Sequence, residues 1–127
     1  MKTMLKKLIL VAVAALPLLF TSCDTNDVYL EDQIVGSWVA AYEDDWVFEE
    51  EVYEFDTAGR WSYRYYYQNV NGEYIYEVDA GTYYVLYGQL KLRSKFSDVS
   101  YSYGMSISGG RLLLRIDGQY YEYHRYR

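Results

Sequence analysis

The sequence predicts an all-β fold, an eight-stranded antiparallel up-and-down barrel, and three observations carry that prediction. Beyond residue 33 the apolar and aromatic residues recur at every second position, the rhythm of a strand with one face in a core. Gly, Asn and Asp punctuate these stretches as turn signals. No segment repeats at helical spacing for more than a turn or two, and no connection is long enough for a parallel crossover. Closing such a meander removes its exposed edges, so a barrel is preferred to an open curled sheet.

Ile34 to Tyr42 makes the first strand and Glu51 to Phe55 the second. Asp56-Thr57-Ala58-Gly59 reads as a tight turn ending in a left-handed glycine. In the third strand Trp61, Tyr63, Tyr65 and Tyr67 alternate with Arg60, Ser62 and Arg64, and Tyr66 stands off the pattern. Asn71-Gly72 predicts a type I′ hairpin, after which Tyr74, Tyr76 and Val78 alternate with Ile75, Glu77 and Asp79. Thr82 to Tyr87 is apolar on both faces and leaves its register open. Gly88-Gln89 turns into Leu90-Lys91-Leu92-Arg93; Tyr101, Tyr103, Met105 and Ile107 then alternate with serines and a glycine. Gly109-Gly110 leads to Leu112, Leu114 and Ile116, and Asp117-Gly118 to the last strand, through Tyr126.

The core of such a barrel has to be aromatic. The 127 residues include 18 tyrosines and 3 tryptophans, and the single cysteine leaves no internal disulfide.

That cysteine has another use. Lys2, Lys6 and Lys7 form a basic start, and Leu8 to Phe20 is an uncharged apolar stretch, within signal-peptide length and short for a membrane span. Leu19-Phe20-Thr21-Ser22-Cys23 resembles the cleavage box of bacterial lipoproteins, with Phe20 bulkier than the usual residue there. The resemblance implies that residues 1–22 are a cleaved signal peptide. It also implies that Cys23 carries a diacylglyceryl thioether beside an acylated amino terminus, with palmitate-type chains. Two or more chains anchor a protein stably. The expected location is the outer membrane of the cell envelope, on its periplasmic or cell-surface face. Residues 23–32 read as an acidic, solvated tether, similar to the surface-export signal of one group of Gram-negative bacteria, and residues 33–127 as the domain.

Loss of residues 1–22 leaves nine bases against 18 acids. So acidic a chain has no electrostatic reason to bind nucleic acid. Asp24 to Asp56 holds acids and no base, whereas Lys91 to Arg127 is mostly basic, a pattern that suggests pairing across strands.

Three short motifs resemble lipocalins and the small bacterial lipocalin-like lipoproteins. Ile34-Val35-Gly36-Ser37-Trp38 matches their opening Gly-x-Trp. Glu54 to Trp61 is similar to their strand, D-x-x-G turn and aromatic strand. Gly81-Thr82-Tyr83 with Leu90-Lys91-Leu92 is similar to a later hairpin. The resemblance covers most of residues 31–127. It implies that Gly36 and Trp38 pack the closed bottom of the barrel, with Arg125 or Arg127 over the tryptophan. The absence of a disulfide, the short loops and the short chain depart from a typical lipocalin and argue against a roomy calyx.

Enzymatic chemistry has little to build on. His124 is the sole histidine and reads as a surface strand residue. Glu43, Asp44, Asp45, Glu49, Glu50 and Glu51 are candidates for a carboxylate pair or a calcium site, yet they lack EF-hand spacing, and Glu43–Asp45 fall in a predicted loop where acids usually face solvent. No catalytic residue, metal or cofactor is expected. The candidate ligand-binding residues are Trp61, Tyr63, Tyr65, Tyr67, Tyr74, Tyr76, Tyr101 and Tyr103, either as plain core or as a pocket lining. The leading expectation is a monomeric, membrane-anchored protein that binds a small hydrophobic or amphipathic molecule and catalyses nothing. A carbohydrate-binding surface with exposed Tyr66, Tyr84 and Trp46 is second. An inhibitor of a basic enzyme, steered by the Glu43–Glu51 acids, or a structural envelope protein is third.

Overall fold

Eight antiparallel strands follow one another around a closed barrel: β1 (Gly36–Glu43), β2 (Val47–Phe55), β3 (Arg60–Asn69), β4 (Tyr74–Leu86), β5 (Gln89–Ser94), β6 (Ser100–Ser108), β7 (Arg111–Ile116) and β8 (Gln119–Arg125). This computed structural model describes residues 27–126. The expected signal peptide at residues 1–22, Cys23, the start of the expected tether and Arg127 lie outside the described residues. The meander barrel is the architecture that alternation and short turns predict.

The tether ends earlier than expected. Asp27–Ile34 forms a two-turn helix, α1, whose Leu30 and Ile34 are buried in the barrel core. Its polar residues reach the barrel as well. Asp27 accepts the N–H groups of Tyr87 and Gly88, both at 2.9 Å, and Glu31 accepts the N–H of Val85 at 3.0 Å. An acidic stretch looks solvated in sequence, but here two of its carboxylates satisfy donors at a barrel mouth while Leu30 and Ile34 point inward.

Turn chemistry sets which residues face the core. Tyr87-Gly88, Gly109-Gly110 and Asp117-Gly118 each carry two successive positive φ angles, the requirement of a type I′ turn. The predicted type I′ turn at Asn71-Gly72 is not one: only Gly72 has positive φ, at 83°. Asn69 begins the loop, its side-chain oxygen accepting the N–H groups of Asn71 and Glu73 at 3.0 and 3.2 Å. Asp56 does the same for Ala58 and Arg60, both at 2.9 Å. The two connections are one design, an Asx residue followed three places later by glycine.

That design leaves three residues in the loop where a type I′ turn has two. One residue of slip sends every side chain of the following strand to the other face. Tyr63 therefore pairs with Asp79, Tyr65 with Glu77 and Tyr67 with Ile75. The inner face of β4 carries Ile75, Glu77, Asp79, Gly81, Tyr83 and Val85, and the outer face carries Tyr74, Tyr76 and Val78.

The barrel has two unlike ends. At the closed end α1 packs beneath Trp38, Phe55, Tyr83, Leu90, Met105, Leu112 and Leu114. At the other end the first four strands outrun the last four. β4 pairs with β3 from Tyr74 but with β5 only from Gly81, and β1 pairs with β8 only at Trp38 and Val39. The ion pairs observed lie within hairpins or between neighbouring strands: Arg60–Asp56, Arg64–Glu54, Arg93–Asp98 and Arg111–Glu122. They do not join the acidic first third to the basic last third, as the charge pattern suggests.

Candidate functional site

Across β2, β3 and β4 the inner face is built in rows. From the closed end upward these are Phe55–Trp61–Gly81, Tyr53–Tyr63–Asp79, Glu51–Tyr65–Glu77 and Glu49–Tyr67–Ile75. Directly paired side chains stand side by side, so each row is a set of touching neighbours. The first row is core and the last two are acid and phenol.

The lower rows are packed solid with rings. Tyr53 lies 4.8 Å from Tyr63, 5.4 Å from Tyr123 and 5.9 Å from Phe55, centroid to centroid, and Phe55 meets Tyr83 edge-on at 5.1 Å. Trp61 donates its indole N–H to the carbonyl of Arg93 at 3.2 Å. Gly81 makes that approach possible, since a Cβ there would sit 1.7 Å from the same carbonyl oxygen. At the bottom Trp38 donates to the carbonyl of Ile34 at 2.8 Å, and the guanidinium of Arg125 lies 4.2 Å from the centre of its ring. Arg125 also donates to the carbonyls of Gln33 and Val35, tying helix to barrel, while Gly36 opens β1 opposite Phe55.

The upper rows hold what sequence reasoning missed. Glu49 and Glu51 are both 0 % exposed. Glu51 accepts the phenol of Tyr63 and, at 2.5 Å, that of Tyr123. Glu49 accepts the phenol of Tyr65 through Oε2, and its Oε1 is buried with no partner. Glu77 likewise has a buried Oε1 without a partner. Asp79 is better served, accepting from the hydroxyl of Ser94 at 2.6 Å and from the N–H of Ala80 at 2.8 Å. Tyr67, Tyr101 and Tyr103 are half-buried against the aromatic core, whereas half-buried Ile107 lies at the closed end opposite Leu112.

Electrostatics follow from burial. Desolvation pushes the Glu49 carboxyl up to about 7; the Tyr65 hydrogen bond opposes the rise and the charge of Glu51 adds to it. Burial, then the nearby carboxylates, raises the phenols of Tyr63 and Tyr65, so they stay protonated donors. Strongly perturbed carboxyls of this kind cluster at functional sites. Among the described residues no group of three or more His, Cys, Asp or Glu is placed to hold a metal ion.

Of the eight expected ligand-binding residues, Trp61, Tyr63 and Tyr65 are core, and Tyr67, Tyr101 and Tyr103 line the upper interior. Tyr74 and Tyr76 are corrected to the outer face, 68 % and 58 % exposed, for the register reason above. The candidate acids divide in the same way: Glu49 and Glu51 face the interior, whereas Glu43, Asp44 and Asp45 form the exposed first hairpin tip. Parity could have found them, because Glu49 and Glu51 are in phase with Tyr53 and Phe55. Trp46 and Tyr84 are exposed as expected, but Tyr66 is half-buried against Phe48. His124 is an exposed strand residue beside Glu122.

Clefts also open on the outside. One of about 190 Å³ lies between the first two open-end hairpin tips, around Trp46 and Asn69. Another of about 350 Å³ runs over Ser37, Glu54 and Ser62, and a third of about 170 Å³ lies between α1 and Tyr83.

Fold and site define an all-antiparallel, eight-stranded up-and-down barrel with an acid- and tyrosine-lined upper interior. No family model matches the chain, and no curated protein is significantly similar to it. Among solved structures it is similar to the NMR structure of a protein from Bacteroides thetaiotaomicron VPI-5482, with a TM-score of 0.58 and 18% identity over 76% of this chain and 92% of that one. That likeness concerns the fold.

Proposed function

We propose that the chain is a lipid-anchored, lipocalin-like binding protein that takes a small amphipathic molecule into the open end of its barrel. The observation that carries this reading is the pair of buried, unpartnered carboxylate oxygens, Glu49 Oε1 and Glu77 Oε1, beside half-buried tyrosines. Folded proteins satisfy nearly all their buried polar groups, so an orphaned pair near an opening points to something that completes it. The lower interior, filled with rings, leaves only the upper rows for a ligand, in keeping with a chain shorter than a typical lipocalin.

The anchor reading draws support from the lipobox at Leu19–Cys23 and from the position of α1. Three residues lie between Cys23 and Asp27, a reach of at most about 14 Å, and Asp27 is bonded to the closed-end turn at Tyr87-Gly88. Lipid on Cys23 would thus hold the closed end toward the outer membrane, with exposed Val28, Tyr29 and Tyr87 beside it and the open end facing away.

Titration with an uncharged naphthylamine dye tests the binding reading. Saturable fluorescence enhancement is expected, and Tyr67→Ala or Tyr103→Ala should weaken it; no saturable response from any small-molecule probe would sink the proposal. For the anchor, Cys23→Ala should be released from membranes by washing, and unchanged retention would count against lipidation. A second reading, glycan contact, is favoured by the exposure of Tyr74 and Tyr76 on one outer face. Phe48 and Tyr66 on the same face are tilted by 54°, a poor platform for a flat sugar face. An enzyme inhibitor steered by acids is less favoured, since two of its steering carboxylates are buried.

A further inference from the structure

We propose that the open end binds the ammonium group of a small organic cation, held by Glu49 and Glu77 and packed among the rings of Tyr65, Tyr67, Tyr101 and Tyr103. This rests on the reading of the barrel as a small-molecule binder and adds the chemical class of its ligand.

The argument is one of missing countercharge. Four carboxyl groups face the interior: Glu49 and Glu51 from β2, Glu77 and Asp79 from β4. Glu51 and Asp79 receive hydrogen bonds from Tyr63, Tyr123, Ser94 and the backbone of Ala80. Glu49 and Glu77 each keep one buried oxygen with nothing to accept from. A buried carboxylate is normally matched by Arg, Lys or a metal, or takes up a proton, as Glu49 does below about 7; above that it needs a partner. Here none of the described Lys, Arg or His residues is buried, and the observed ion pairs of the arginines are made with acids of turns and outer faces. The chain therefore leaves the positive charge to come from elsewhere.

The surroundings select among positive charges. No metal-holding cluster exists among the described residues, and phenols already occupy the bonded oxygens of Glu49 and Glu51. A hard cation would need several free oxygens converging on one point. Half-buried phenol rings in the same interior as two carboxylates instead suit a larger, diffuse cation, which gains from both the ring quadrupole and the charge. The rings of Tyr67, Tyr101 and Tyr103 are half-buried, so part of each meets solvent. An anion would be repelled, and a neutral donor would hydrogen-bond to the orphaned oxygens without supplying a countercharge.

The test uses the full chain with choline and ethanolamine as cations. Two further probes are the uncharged choline analogue with carbon in place of nitrogen, and the corresponding carboxylate. Binding is read by calorimetry and by 1H–15N NMR. The cations should bind, shift resonances on the upper parts of β2, β3, β4 and β6, and bind about tenfold more weakly to Glu49→Gln and to Glu77→Gln, as expected for loss of one charge-assisted contact. Both variants preserve side-chain shape, and a dispersed NMR spectrum verifies that they fold. If the uncharged analogue binds as well as choline, or the cations bind both variants undiminished, the cation proposal falls while the binding barrel stands. If no probe of any charge moves an inward resonance, both fall.

Discussion

The two ends of the barrel are made of much the same residue types and behave as opposites. At the closed end side chains find backbone partners: Trp38 bonds Ile34, Trp61 bonds Arg93, Tyr83 bonds Asp56, and Asp27 and Glu31 accept from the β4–β5 hairpin. At the open end phenols bond carboxylates, and carboxylate oxygens are left over. Polar networks that are fully satisfied rigidify a fold, whereas partly satisfied ones cost stability. Stability is therefore concentrated below, and the upper rows retain groups that folding alone would not select.

That contrast can be broken most directly at Trp38. Trp38→Ala should cost about 3–5 kcal/mol in chemical denaturation, because it empties a fully buried site and removes the seats of both Ile34 and Arg125. Tyr67→Ala at the open end should cost far less, and equal losses at the two positions would erase the distinction between the ends. Gly81→Ala comes next, at about 1–3 kcal/mol or more. Its new Cβ meets the backbone oxygen of Arg93 rather than a side chain that can swing away, and the tryptophan fluorescence of Trp61 should change with it.

At the open end the sign reverses. Glu49 has a raised folded-state value of about 7 against 4.5 when unfolded, so the folded state holds the proton more tightly between those values. Stability is then greatest below pH 4.5 for this group and declines as pH rises toward 7 and just beyond. Facing it are Tyr42 of β1, Glu51 of β2, Tyr65 and Tyr67 of β3 and Glu77 of β4, none of which supplies positive charge. Exposed Asp44 and Asp56 are shifted downward and titrate below this window. Glu49→Gln should stabilise the protein at pH 8 by about 1–2 kcal/mol and flatten the melting temperature between pH 5 and 8. A destabilised variant with unchanged pH dependence would refute the assignment. The smallest effect is expected at Arg125→Ala, about 1 kcal/mol, with the helix signal lost before the sheet on heating.

Much of this was legible in particular residues. Trp38 with Arg125, the Asp56–Gly59 turn, and the inward sets Tyr101/Tyr103/Met105/Ile107 and Leu112/Leu114/Ile116 follow from alternation or from the lipocalin-like motifs. The acid cluster was not read, for two reasons. The charge of glutamates 49 and 51 masks the parity that Tyr53 and Phe55 set. Asn71-Gly72 has the composition of a two-residue turn, although Asn69 and Gly72 repeat the spacing of Asp56 and Gly59. Either reading, corrected, would have placed carboxylates inside.

Composition, alternation and turn spacing were enough to settle an antiparallel meander, because a strand's two faces and a hairpin's reversal are local properties of a few consecutive residues. Which acids turn inward, whether helix α1 plugs one mouth, and which carboxylate oxygens stay unpartnered were decided only by the closed tertiary structure. Those outcomes depend on how eight strands stagger against one another, and a one-residue difference in a single loop reverses a whole face.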